Sequence, residues 1–91
     1  MNTITEEKLA SYFSITQEAL AMAEKAPVHD QKGCDEVLDM VRRYVSDAHH
    51  FSSQGNKVLA FAALNYAHGW LDAGARLGVF EVHDSRLFTV D

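Results

Sequence analysis

The sequence predicts an all-α fold, a three-helix bundle with a short C-terminal β-hairpin-like tail. Three features predict it. Apolar residues recur at helical spacing in three separate stretches, two clusters of turn-forming residues divide those stretches, and the period changes after Gly78. With 91 residues, 47% of them hydrophobic and 23% charged, the chain has room for one domain around one core. The expected organisation is a single domain, 1–91, with helices at about 4–25, 34–52 and 57–77 and a tail at 79–91.

The first helix is expected to begin at Thr3. The run T-I-T-E has the form of a capping box, in which the threonine hydroxyl caps the first turn and Glu6 reaches back. Leu9, Tyr12, Phe13, Thr16, Ala19, Leu20 and Ala23 then share one face. Pro27 and the polar residues 29–33 end it, because proline has no amide hydrogen to donate and disfavours a helical residue before it.

The second helix carries Cys34, Val37, Leu38, Val41, Tyr44, Val45, Ala48 and Phe51 on its apolar face, with Asp30 or Asp35 as its cap. Glu36, Asp39, Arg42, Arg43 and Asp47 occupy the opposite face, so it reads as an amphipathic surface helix. Residues 52–56 close it, Gly55 being suited to a left-handed turn.

The third helix differs in kind. Val58, Leu59, Phe61, Leu64, Tyr66, Trp70, Leu71 and Leu77 point several ways around the axis. A helix apolar nearly all round is expected to be covered on most sides, as the inner wall of the bundle or beneath a partner subunit. Gly78 is placed to end it. In the tail, Val79, Phe80 and Val82 and then Leu87, Phe88 and Val90 flank the polar residues 83–85, which reads as two extended arms around a turn.

Charge narrows the choice of partners. A net charge of −5 repels nucleic-acid backbones and anionic lipid, and the nearest basic patch, Arg42 with Arg43, is too small to reverse that. Cys34 stands alone, which fits a reducing compartment and a small buried hydrophobe at a helix start. The N-terminal residues are acidic where a secretory signal needs basic ones, and the longest apolar run, 58–64, is far short of the roughly 20 residues of a membrane span. The expectation is a cytoplasmic protein that binds neither nucleic acid nor membrane and carries no cofactor.

The stretch FAALNYAHGWLDAGARLGVF, residues 61–80, with the Gly55-Asn56 turn before it, resembles the archaeal family catalogued as domain of unknown function 357. Its distinctive part is YAHGWLDA, residues 66–73. The resemblance runs from about Tyr44 to Phe88 and more loosely over the first helix. It implies a small three-helix bundle and no established activity. Similar domains sometimes accompany nucleotidyltransferase-like domains, which implies an accessory role, although no such catalytic domain is expected within these 91 residues.

The third helix also holds the candidate chemistry. His68, Asp72 and Arg76 succeed one another at four-residue intervals and share one side. As a site, Asp72 would orient the His68 imidazole and Arg76 would bind a carboxylate or phosphate, with Tyr44 or Trp70 as a wall. As plain helix chemistry, the same residues form a surface ladder worth about 0.2–0.5 kcal/mol per pair. Asp47 and His50, one turn apart, give a weak metal-binding pair, and a zinc held by His50, His68 and Asp72 is the furthest that idea extends. No nucleophile elbow or phosphate-cradling glycine loop is present.

Glycine inside a helix costs roughly 0.5–1 kcal/mol relative to alanine, so Gly69 and Gly74 need an explanation. Close approach of a neighbouring helix is the expected one, and Gly74 with Gly78 makes the G-x-x-x-G spacing that permits it. The sequence therefore points to a non-enzymatic interaction or accessory module, working with an unknown protein or with itself as a homodimer. The alternative is a small-ligand or nucleotide-binding domain built on the polar edge of the third helix.

Overall fold

A computed structural model describes residues 3–89. It contains three helices, α1 (Glu6–Lys25), α2 (Gln31–Ser53) and α3 (Lys57–Leu77). α2 and α3 form the tightest pair, α1 lies mainly along α3, and α1 and α2 scarcely meet. The three-helix bundle is therefore organised around α3. None of these helices is long and apolar enough to cross a membrane.

Local chemistry sets each boundary. α1 starts at Glu6, two residues after the expected start, and its cap is Thr5, whose hydroxyl accepts from the Lys8 amide at 3.1 Å. The Thr3–Glu6 capping box does not form. Capping at Thr5 instead puts Glu6 and Glu7 in the first turn, where the helix dipole favours negative charge. α2 starts at Gln31, three residues earlier than its apolar periodicity suggests, because Asp30 caps it through the Gly33 amide at 3.1 Å. Its first turn is polar and exposed, so hydrophobic spacing carries no sign of it. Asn56 caps α3 through Leu59, and Gly78 ends it with a left-handed φ of 73°.

The tail is not a hairpin. Its extended part pairs with the connection between α1 and α2, through a single antiparallel bridge between Val28 and Phe80. His29 and Asp30 donate their amides to the Val79 carbonyl, and Glu81 donates to the Pro27 carbonyl. The second arm is a turn in which Leu87 and Phe88 donate to the Asp84 carbonyl. Val90 lies outside the described residues. A lone hairpin is marginal in water, whereas this route buries Val79, Phe80, Val82, Leu87 and Phe88 against all three helices.

The core has two parts. One joins the tail to Ala19, Ala23, Cys34, Val37, Leu38, Val41, Val45, Ala67 and Leu71. The other, at the opposite end, gathers Leu9, Ala48, Ala60, Ala63 and Leu64 beneath Tyr12, Phe13, Phe51 and Phe61. Within the chain, α3 is not covered on most sides as its composition suggests. Val58, Leu59, Tyr66, Trp70 and Leu77 remain exposed, Tyr66 at 63% and Leu77 at 77%. Two neighbouring helices and the tail cover only part of its circumference.

Candidate functional site

The polar edge of α3 does not form a continuous ladder. His68 Nε2 lies 3.8 Å from Asp72 Oδ1, an ion-pair distance but too long for a hydrogen bond. Asp72 Oδ1 instead accepts the Thr89 backbone amide at 2.8 Å, pinning the end of the tail to the helix. Arg76 is exposed, and no hydrogen bond or ion pair joins it to Asp72.

The arginine that does reach this neighbourhood is Arg86, from the tail. It helps to line an open cleft of about 370 Å³ with Tyr12, Ile15 and Thr16 of α1 and Asn65, His68, Gly69 and Asp72 of α3. Its guanidinium grips Glu18 at 2.6 and 3.4 Å and lies 3.6 Å from Asp84. The hydrogen bonds to Glu18 hold its pKa above the ordinary arginine value. The volume lies within the range of small-molecule sites, and the cleft offers an amide, an imidazole and a carboxylate. Helical spacing pointed to His68 and Asp72. It gave no sign of Tyr12 or Arg86, which arrive from other parts of the chain.

The adjoining side of α3 has another character, with Asn65 and Gly69 on the border between the two. At about 100° per residue, Leu59, Ala62, Tyr66, Gly69, Trp70, Ala73 and Leu77 fall within one outward band. Tyr66 stacks on Tyr44 of α2, with ring centroids 5.4 Å apart and planes 18° apart. Trp70 is not a wall of the polar cleft. It lines a shallow hollow of about 330 Å³ with Asn65, Tyr66, Gly69 and Ala73. Tyr44 also stays outside the cleft, held on the α2 side by this stacking.

The two glycines of α3 and its cap Gly78 separate by environment. Gly74 is a site of close packing: an added Cβ would come within 2.8 Å of the Phe80 ring and 3.1 Å of Val37. Gly69 is not, since nothing lies within 4 Å of where its Cβ would be. Gly78 is not close-packed either, and its positive φ accounts for it. Gly33 is at least as tight, since a Cβ there would lie 2.6 Å from the Asp30 carboxylate and 2.9 Å from Val79.

Histidine and cysteine positions are accounted for by local contacts. Asp47 and His50 are both exposed, and His50 lies beside the Phe51 ring. The neighbouring His49 stacks on Phe13 and shares a 3.0 Å hydrogen bond with Gln17. Among the described residues no group of three or more His, Cys, Asp or Glu side chains is placed to hold a metal ion. Glu81 bridges His29 at 2.7 Å and His83 at 3.2 Å, and the hydrogen bond to His29 contributes most to holding its carboxyl below the usual glutamate value. Cys34 is buried, and that burial, reinforced by the charge of Asp35, pushes its thiol pKa up and suppresses the reactive thiolate.

Comparison with known proteins adds one finding. Neither the curated proteins nor the solved structures contain a match to the chain. The family described as Protein of unknown function (DUF357) matches residues 11–80, from the first third of α1 through Phe80. That span takes in the outward band of α3, the close-packed Gly74 and the tail residue that fills the space beside it, and the chain belongs to this family of unknown function.

Proposed function

We infer that the protein is a non-enzymatic interaction module that docks through the outward face of α3. The composition of that face carries the reading. It is an uncharged band running the length of a 21-residue helix, with Leu59, Tyr66, Trp70 and Leu77 exposed along it. Apolar surface left in water is unfavourable by about 25 cal/mol per Å², and contiguous patches of this kind mark association sites.

The test is affinity capture from the native host with wild-type and Tyr66→Lys baits, read by mass spectrometry. The lysine places a charge in the centre of the band, at an exposed side chain outside the buried core whose ring stacks on Tyr44. Proteins held through α3, further copies of the chain included, are expected to disappear from the Tyr66→Lys capture while helicity by circular dichroism stays unchanged. Identical captures with both baits would sink the reading.

A second reading is favoured by one specific arrangement, the convergence of Asn65, His68 and Asp72 on the cleft beside Arg86. It makes the domain a small-ligand module. That reading expects a metabolite that raises the melting temperature of the wild type but not of His68→Ala, with Tyr66→Lys responding as the wild type does.

A further inference from the structure

Resting on the interaction reading above, we propose that the occupant of the outward face is a second copy of this chain. The two α3 helices run antiparallel about a two-fold axis that passes beside Gly69, level with position 68. A two-fold interface needs one surface that complements itself, so that residue i meets j and j meets i. The band has that symmetry along its length. Leu59 and Leu77 lie equally far on either side of position 68, Tyr66 and Trp70 are likewise equidistant from it, and Ala62 and Ala73 match within half a residue.

At ~1.5 Å rise per residue the two leucines of one helix stand about 27 Å apart. A reversed second helix therefore sets Leu59 on the partner's Leu77 at both ends. In the centre it sets Tyr66 against the partner's Trp70, an aromatic pairing that rings of this size favour.

Gly69 supplies an independent argument. It sits inside α3, is exposed, and meets nothing within 4 Å of its missing Cβ, so packing within the chain does not explain it. Beside the proposed axis, two such bare positions let the helices approach to the close end of the usual range of about 8–10 Å.

Charge and area agree. No side chain within the band is ionised, and the exposed Arg76 stands at its rim, about 20° beyond Gly69, whereas α1 and α2 expose Glu18, Glu24, Glu36 and Asp39 on other faces. The surface that matches an uncharged alternation of large and small residues is another of the same composition. The exposed parts of Leu59, Tyr66, Trp70 and Leu77 with their small neighbours amount to on the order of 500 Å². A polar rim brings such a patch toward the roughly 800 Å² per partner of a standard interface.

The test uses the full chain in sedimentation equilibrium from micromolar to hundreds of micromolar. A species of twice the 10.1 kDa chain mass is expected. Tyr66→Lys and, independently, Leu77→Lys are each expected to weaken it at least 100-fold with helicity retained. Orientation is read with a short bis-maleimide: Leu59→Cys mixed with Leu77→Cys should cross-link, and neither variant alone should, while Cys34 is buried. Cross-linking of either variant on its own would overturn the antiparallel arrangement. A monomer throughout, with captured proteins still lost from the Tyr66→Lys bait, would overturn self-pairing and leave the interaction reading standing. A monomer with unchanged captures would overturn both.

Discussion

Gly69 and Gly74 stand five positions apart on α3, yet a methyl group added to one enters open solvent and a methyl added to the other enters the Phe80 ring. Their alanine variants should move in opposite directions. Gly69→Ala gains helix propensity alone and is expected to raise unfolding stability by about 0.5–1 kcal/mol in dilute monomer. Gly74→Ala gains the same propensity but overpacks a ring that is 1% exposed, for a net loss of about 1–2 kcal/mol. Urea midpoints of the two variants check both signs. The spacing of these glycines was legible in the sequence and their surroundings were not. What a missing Cβ would touch depends on where Phe80 returns, and no helical periodicity encodes that.

At the scale of elements, the tail is a strap across the bundle, fastened at several points. One fastening is the Asp72 carboxylate on the Thr89 amide. Asp72→Ala is expected to cost about 1 kcal/mol, a fall in melting temperature of roughly 4–8 °C for a domain of this size, together with faster hydrogen exchange at Thr89. The His29–Glu81–His83 contact is another fastening, and its sign with pH is fixed. The folded state holds the Glu81 pKa below its ordinary 4.5. Its contribution is therefore fully present above that value and is lost as pH falls through the depressed folded value. The difference in melting temperature between wild type and Glu81→Gln should shrink accordingly as the pH is lowered below about 4.5. The three helices were legible element by element, because capping residues and apolar spacing are local signals. The tail was misread as pairing with itself, since Val28, its true partner, sits far back along the chain with no mark of that pairing.

For the whole molecule, α3 divides two kinds of surface. One side looks into the core and a polar cleft, and the other presents the uncharged band to water. The sequence pointed to α3 as the element to watch and named His68 and Asp72. It paired them with Arg76, because a side-chain ladder can be counted along a helix and an arginine arriving from the tail cannot. The tail also bears on stability as a whole. Burial of Val79, Phe80, Val82, Leu87 and Phe88 at about 1.5–3 kcal/mol each is comparable with the entire stability of ~5–15 kcal/mol expected for a domain. A chain ended after Gly78 should therefore lose its cooperative thermal transition, which calorimetry would show as the disappearance of the unfolding peak.

The position of those residues has a consequence for synthesis. Translation delivers the chain from its N-terminus at about 5–20 residues per second, so all three helices leave the ribosome before the side chains that seal them. Until Phe80 and Phe88 emerge, Val37, Leu38 and Leu71 have no lid, and the nascent helices hold an open apolar seam. Any pause that holds Phe80 and Phe88 inside the ribosome after Leu77 has emerged prolongs that exposure, and a chaperone acting on this domain would find its binding window there. The bundle has to wait for its own last turn.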